Sequence, residues 1–219
     1  MFGVAWDLDG TLVDTELNHY AAWRDLMAEH GQRLTRERFR PTFGMRNDEI
    51  LTGHFGFDPA RHTIGDLSER KESLFRQSLA RDGVRAQPGA LTLLKHLHAL
   101  GVPQAIASSA PPANIALIVD MLKLGPLLTA VISGEEVAHG KPAPDIFLRT
   151  AERLGLAAGS MVVLEDAPPG VAAGKAAGSK VIALAIGFPA DSLAAADLIV
   201  TSFEEVLWSR EGWQRFLAS

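Results

Sequence analysis

Short apolar runs alternate with amphipathic stretches along most of the chain, from about residue 88 onward. Helical patterns are predicted over 88–100, 112–123, 144–154, 170–177 and 203–217. Strand patterns are predicted over 103–107, 131–132, 161–164, 180–184 and 198–200. Short strands that alternate with helices are typical of parallel strands joined by right-handed crossovers. The pattern therefore predicts an α/β fold with a doubly wound parallel sheet, whose first strand is the apolar run before Asp7.

One long segment, residues 16–82, interrupts this alternation. Its helical patterns cover 17–30, 47–55 and 65–80 and carry many charges, with no strand pattern between them. A purely helical segment placed after strand one indicates an insertion into the sheet domain. We therefore expect two domains, a core formed by residues 1–15 and 83–219 and a helical cap formed by residues 16–82.

Composition excludes several classes of protein. The formal net charge of -5 argues against a nucleic-acid-binding surface. The chain has no cysteine, so disulfides, thiolate metal sites and thiol nucleophiles are impossible. No apolar stretch approaches the roughly 20 residues of a membrane-spanning helix, and no basic leader precedes the first strand. We expect a cytoplasmic protein with neither a membrane nor an obligate protein partner.

The first strand ends in two aspartates, Asp7 and Asp9. In an extended segment residues i and i+2 share a face, so the two carboxylates would point the same way. Two such charges ~4 Å apart cost on the order of 4 kcal/mol at an effective dielectric of ~20, unless a metal ion or protons offset them. For an isolated pair of this kind, an acidic turn after a buried strand is the structural alternative.

Polar residues also follow the later strands. Ser108 and Ser109 come after one strand, Glu165 and Asp166 after another, and Lys141 lies in a loop that follows a third. Ligands of open parallel sheets bind beyond the carboxyl ends of the strands, so we expect these groups at one edge of the sheet. Carboxylate oxygens without histidine or cysteine are ligands that suit Mg²⁺. The sequence therefore predicts a magnesium site there.

Phosphoryl transfer would use all of these groups. A carboxylate can attack phosphorus directly, and a second carboxylic acid can protonate the leaving oxygen and later activate water. The reaction needs positive charge around the equatorial phosphoryl oxygens. Magnesium, Lys141 and donors near Ser108 would supply that charge.

Four motifs carry a resemblance that spans nearly the whole chain. They are Asp7-Leu8-Asp9-Gly10-Thr11, Ala107-Ser108-Ser109, Gly140-Lys141-Pro142-Ala143-Pro144-Asp145 and Leu164-Glu165-Asp166-Ala167-Pro168-Pro169-Gly170. In this order they resemble the haloacid dehalogenase superfamily, and within it the β-phosphoglucomutase-like phosphatases with a helical cap and a Rossmann-like core. The resemblance implies that Asp7 is the nucleophile and Asp9 the general acid and base. Ser108 and Lys141 would hold the transferred phosphoryl group.

The same resemblance implies the metal ligands. Asp166 would bind Mg²⁺ together with Asp7 and the backbone carbonyl of Asp9, and Glu165 would support the metal shell through water. Dehalogenases of this superfamily lack an acid at position 9, because a halide leaves without a proton. The aspartate here therefore favours phosphate chemistry.

Candidate substrate contacts lie mostly in the cap. His19 and Lys71 occupy positions similar to those of β-phosphoglucomutase, and Arg46 lies near its substrate-binding arginine; Ser109 and Asn114 complete the set. For Arg46 and Lys71 the alternative is a solvated helix surface, and for His19 it is a structural role. Trp23, at helical spacing from His19, is interpreted as a core residue.

One departure separates two activities. Where the mutase has a serine and a lysine after the hydroxyl motif, this chain has Ala110 and Pro111. Because proline lacks a backbone donor, a bisphosphate would be held less well. We therefore expect a phosphatase acting on a small phosphorylated metabolite such as a sugar phosphate. One alternative is a phosphosugar mutase. A second alternative, a catalytically silent binding protein, is less favoured because the polar groups that the reaction needs are all present.

Overall fold

A computed structural model describes residues 1–42 and 45–219. The strands are β1 (Gly3–Trp6), β2 (Val13–Asp14), β3 (Arg85–Ala86), β4 (Gln104–Ser108), β5 (Ala130–Ser133), β6 (Met161–Glu165), β7 (Lys180–Leu184) and β8 (Leu198–Val200). The helices are α1 (Glu16–Glu29), α2 (Arg36–Phe39), α3 (Asn47–Glu49), α4 (Ile64–Asp82), α5 (Ala90–Ala99), α6 (Pro112–Met121), α7 (Asp145–Leu154), α8 (Pro168–Ala176) and α9 (Arg210–Ala218). They form two compact units, residues 1–14 with 85–219 and residues 15–84.

The larger unit contains a six-stranded parallel sheet in the order β5-β4-β1-β6-β7-β8. Strand β1 is central and pairs with both β4 and β6, so that Ala5 lies between Ala105 and Val163. All residues of β1, β4 and β6 are buried, as expected for a sheet with helices on both faces. The prediction of a doubly wound α/β fold is confirmed, and the strand order reverses beside β1.

The first strand ends before the two aspartates, as the apolar run predicted, but the chain does not stay extended through them. The strand ends at Trp6, so the expectation that Asp7 and Asp9 lie on an extended segment is wrong. The chain turns instead, because the backbone amides of Leu12 and Val13 both donate to the Leu8 carbonyl, at 3.0 Å each. The turn is possible because Gly10 has a φ of 93°.

A second, unpredicted sheet has only two strands. Residues 13–14 pair antiparallel with residues 85–86, which places Val13 opposite Ala86 and Asp14 opposite Arg85. The two strands flank the segment that forms the smaller unit. The larger unit therefore holds both ends of this segment side by side.

The C-terminal region forms two helices rather than the single helix predicted over 203–217. A 3₁₀ helix spans Phe203–Val206, and α9 begins after Ser209, whose hydroxyl accepts a backbone N–H from the first turn of α9. This cap starts a new helix instead of extending the first one. Trp213 anchors α9 with a fully buried ring that stacks on Phe2 at a centroid distance of 5.9 Å.

The smaller unit is helical, and its described residues contain no strand. Helix α1 packs on α4 around an apolar cluster that includes Trp23, Leu26 and Phe39. Trp23 is 1% exposed, which confirms its interpretation as a core residue. The helix predicted over 47–55 is one turn of α-helix followed by a π-helix over Ile50–His54. None of the described helices combines the length and apolar composition needed to cross a membrane.

Candidate active site

Asp7 lies directly beyond the carboxyl end of the central strand β1. Its backbone amide donates to the Leu164 carbonyl at 2.9 Å, which continues the pairing of β1 with β6 by one residue. The side chain is mostly buried, with 8% of Asp7 exposed. Asp9, two residues later, is half-buried and bridges to Val13 in the turn. The first aspartate is thus held by the sheet and the second by the turn.

Lys141 lies between two carboxylates. Its Nζ is 2.5 Å from Asp7 Oδ1 and 2.6 Å from Glu165 Oε1, and it also donates to the Ala107 carbonyl at 3.4 Å. The Phe147 ring of α7 lies 5.2 Å from the ammonium. Only 10% of the lysine side chain is exposed. A charge-assisted contact this short and this shielded fixes the ammonium beside the Asp7 carboxylate.

Glu165 is the last residue of β6, Asp166 follows it, and both are buried. The second oxygen of Glu165 accepts the backbone amides of Asp166 and Ala167, at 3.0 and 3.3 Å. Asp166 Oδ1 accepts a hydrogen bond from the Thr11 hydroxyl at 2.8 Å. These contacts orient the two carboxylates rigidly, and the one between Thr11 and Asp166 links the turn after β1 to the end of β6.

Burial and mutual repulsion shape the ionisation of this cluster. Burial raises the pKa of Asp7 to about 7, against the attraction of Lys141 and with a further contribution from Glu165. Burial also raises the pKa of Asp166 well above its usual range, with Glu165 and Asp7 adding to the effect. Burial alone would disfavour the Lys141 ammonium, but the Asp7 and Glu165 carboxylates outweigh it and raise the Lys141 pKa. One ammonium does not neutralise three carboxylates.

The carboxylates fit a divalent cation. Asp7, Glu165 and Asp166 each offer one oxygen, and these oxygens lie within 4.8 Å of one another. Oxygen donors of this type bind Mg²⁺ or another hard cation. A cation would also offset the repulsion that raises the pKa values of Asp7 and Asp166. The donor set therefore fits a hard divalent ion.

The serine motif lies at the carboxyl end of the neighbouring strand β4. Ser108 is buried, and its hydroxyl oxygen accepts the Ala110 backbone amide at 3.1 Å. Ser109 is exposed, whereas Asn114 is fully buried in the first turn of α6. Because β4 is the direct neighbour of β1, Ser108 and Asp7 lie on the same edge of the sheet.

Known proteins resemble this chain in sequence and in fold. The family of haloacid dehalogenase-like hydrolases matches residues 3–178. The chain belongs to this hydrolase family. Hexitol phosphatase A of Escherichia coli is 35% identical over 213 residues, which cover 95% of this chain and 94% of that protein. The β-phosphoglucomutase of Mycobacterium bovis is 31% identical, with 92% and 90% coverage.

A solved structure supports the same assignment. The crystal structure of CbbY from Rhodobacter sphaeroides in complex with phosphate has a TM-score of 0.88 and 26% identity, and the match covers 98% of this chain and all of the other. The resemblance to the haloacid dehalogenase superfamily is thereby confirmed. The prediction that the chain is an enzyme of this family is confirmed as well.

The cap candidates of this hydrolase lie in the smaller unit. Lys71 is 2% exposed, so the alternative of a solvated helix surface is wrong for this residue. Its Nζ is 2.9 Å from His19 Nδ1 and 2.9 Å from Glu72 Oε1, and it lies over the Trp23 ring at 5.3 Å. The half-buried His19 therefore lies in the same cluster. Arg46 lies apart from it, with an exposed side chain paired to a neighbouring aspartate at 3.2 Å.

Two polar residues with several contacts were not predicted from the sequence. Glu72 is 4% exposed and binds both Lys71 and the Asn47 amide, the latter at 2.7 Å. Gln87 donates from its side chain to the Gly10 carbonyl at 2.8 Å. Glu72 lies in a strongly charged helical pattern, where most side chains are solvated, and Gln87 follows a strand of two residues. At neither position does the pattern of apolar and polar residues predict a buried polar side chain.

Proposed function

We propose that the protein is a Mg²⁺-dependent phosphatase that hydrolyses a small phosphorylated metabolite through an aspartyl-phosphate on Asp7. One observation carries the proposal: the Asp7 carboxylate lies beside the Lys141 ammonium and two further buried carboxylates at the strand-order reversal of the sheet. This is where parallel sheets bind ligands. The phosphatases among its relatives support the same chemistry.

The chain supplies the nucleophile and its electrostatic partner. An Asp7 oxygen attacks phosphorus, and the bond between phosphorus and the alcohol oxygen breaks. Lys141 stabilises the charge on the phosphoryl oxygens from its position beside Asp7, and Ser108 donates to the same group. Asp7, Asp166 and the Asp9 carbonyl would hold Mg²⁺, with Glu165 supporting them; the bound ion would lower the Asp7 pKa and neutralise phosphoryl charge.

Asp9 would move the proton. In the first step the Asp9 carboxylic acid gives its proton to the departing alcohol oxygen. In the second step the Asp9 carboxylate takes a proton from water as the water oxygen attacks the aspartyl-phosphate, and the bond from phosphorus to Asp7 breaks. Inorganic phosphate leaves, and both aspartates return to their starting states.

The substrate is proposed to be a sugar or sugar-alcohol phosphate. The names of the hexitol phosphatase and β-phosphoglucomutase relatives both point to this class. Residues 16–82 are proposed to form a cap over the substrate, with His19, Arg46 and Lys71 as contacts. Ser109 and Asn114 are the proposed contacts from the core.

The mutase remains the second candidate because a β-phosphoglucomutase is among the relatives. A mutase must retain a bisphosphate, and the segment Ala110-Pro111-Pro112 offers few donors to a second phosphate. A phosphatase is therefore favoured. The two activities differ in their product, since only the mutase converts glucose 1-phosphate to the 6-phosphate.

A phosphate-release assay on a panel of sugar and sugar-alcohol phosphates tests the proposal. We expect turnover that requires Mg²⁺ and is lost at least about a thousandfold in Asp7→Asn, because the amide is not a nucleophile. Asp191→Asn, an exposed change in the same unit, is the matched control and should retain full activity. Undiminished turnover in Asp7→Asn would refute the aspartyl-phosphate, and formation of glucose 6-phosphate without phosphate release would establish the mutase.

A further inference from the structure

The segment that returns from the smaller unit lies along the turn that carries Asp9. Strand β3 pairs with β2, and the next residue, Gln87, makes two further hydrogen bonds to the turn. Its backbone amide donates to the Leu12 carbonyl at 3.0 Å, and its side-chain amide donates to the Gly10 carbonyl at 2.8 Å. Gln87 therefore contacts the turn through both its backbone and its side chain.

The residue after Asp9 is held on three sides. The Gly10 amide donates to the Val13 carbonyl at 2.8 Å, and the Gly10 carbonyl accepts from Gln87. Gly10 has a φ of 93°, and a Cβ at this position would collide with the Asp166 carboxylate. Because its N–H and its carbonyl are both hydrogen-bonded and the Asp166 carboxylate lies beside its Cα, the peptide groups of Gly10 are fixed in one orientation. The chain direction after Asp9 depends on these contacts.

The Gln87 contact is the one that a side-chain substitution can remove without changing the turn itself. Gly10 is buried, so its carbonyl is shielded from water that could replace the glutamine. The other contacts to Gly10 come from the backbone or from the Asp166 carboxylate. Loss of the Gln87 amide would leave a buried carbonyl without its side-chain donor and would allow the turn to rotate.

We infer that Gln87 is a positioning residue for proton transfer by Asp9, because its amide holds the Gly10 carbonyl and with it the turn on which the Asp9 carboxyl group is carried. The inference rests on the proposed function, in which Asp9 protonates the leaving alcohol. Gln87 does not touch the reacting atoms. Its effect is on the step that depends on the reach of Asp9, whereas attack by Asp7 from the end of β1 is independent of it.

The dependence of the rate on the leaving group separates these two steps. A sugar alcohol leaves phosphorus as an alkoxide and needs a proton, whereas 4-nitrophenol leaves as a stable anion and does not. The parameter to measure is kcat/KM at saturating Mg²⁺, since it covers events up to cleavage of the ester bond. Gln87→Met removes the donor at nearly constant length and should lower kcat/KM about tenfold for a hexitol phosphate, but less than about twofold for 4-nitrophenyl phosphate.

A matched control is available in the same unit. Gln104 is buried, and its side-chain amide also donates to a backbone carbonyl, that of Leu94 at 2.9 Å. Gln104→Met should lower stability but leave the ratio of the two kcat/KM values within about twofold of the wild-type ratio. Gln87→Lys, which keeps an N–H donor of similar reach, should restore the ratio. Gln87→Glu, which cannot donate when ionised, replaces Gln87→Met if that variant does not fold.

A double-mutant comparison completes the test. In an Asp9→Asn background the protonation step is already lost, so Gln87→Met should not change the ratio further. An equal loss for both substrates in the single variant, or an independent loss in the Asp9→Asn background, would overturn the inference while leaving the phosphatase intact. Wild-type turnover that survives Asp7→Asn would instead refute the proposed function and the inference together.

Discussion

Replacing Asp7 by asparagine should stabilise the metal-free protein at neutral pH. The pKa of Asp7 is raised from 3.8 to about 7, so the folded protein keeps a proton that the unfolded chain releases between these values. Because the folded state binds more protons in this window, the free energy of unfolding falls as the pH rises. A pKa difference of about 3, at about 1.4 kcal/mol per pKa unit, lowers the free energy of unfolding by about 4 kcal/mol at pH 7. Because asparagine cannot ionise, the variant does not lose this stability as the pH rises.

The measurement is urea unfolding in EDTA, for both proteins at pH 4.5 and pH 7. Three of the four tryptophans lie in the unit that contains Asp7 and report its unfolding by fluorescence. The free energy of unfolding of Asp7→Asn relative to the wild type should increase by about 3 kcal/mol between the two pH values. Asp191→Asn should show no such increase. A difference that is constant or shrinks with pH would refute a raised Asp7 pKa.

Three further predictions concern metal binding, the smaller unit and two buried tryptophans. Because Asp7 takes up a proton near neutral pH, Mg²⁺ affinity should fall up to about tenfold per unit below pH 7, and calorimetric titration at pH 6 and 8 that gives equal affinities would contradict this. Lys71→Met leaves the Glu72 carboxylate buried without its cation and should cost about 3 to 5 kcal/mol in urea unfolding, part of which the added Glu72→Gln should recover. Trp213→Phe should lower the free energy of unfolding by at least about 1 kcal/mol less than Trp6→Phe does in the same assay. The reason is that Trp6 Nε1 donates to a buried glutamine at 3.0 Å, whereas Trp213 Nε1 has no partner among the described residues. Equal losses of stability in the two variants would contradict this account.

The sheet and the grouping of polar side chains at its edge could be predicted because both follow from regular patterns. Strands β7 and β8 coincide with the runs predicted at 180–184 and 198–200. Parallel topology brings the carboxyl ends of the strands together, which explains why Asp7, Lys141 and Asp166 could be grouped from the sequence alone. Residues distant in sequence could be placed near one another because the order and direction of the strands determine their position.

Other features depend on tertiary packing that no local pattern encodes. A lysine in a charged helix is usually solvated, yet Lys71 is buried because Glu72, His19 and two aromatic rings surround it. The break before α9 depends on the Ser209 cap within an otherwise continuous helical pattern. The two-residue strands β2 and β3 are too short to show any periodicity. Each of these details is decided by contacts between residues distant in sequence or by a single side chain.

The pairing of β2 with β3 makes the smaller unit, in topological terms, the loop of a β-hairpin. Asp14 and Arg85 are opposite one another, so an Asn-Gly turn could join them and leave the six-stranded sheet with a continuous backbone. The seventy residues between them therefore form one segment whose exchange would leave Asp7, Lys141, Glu165 and Asp166 on the retained chain.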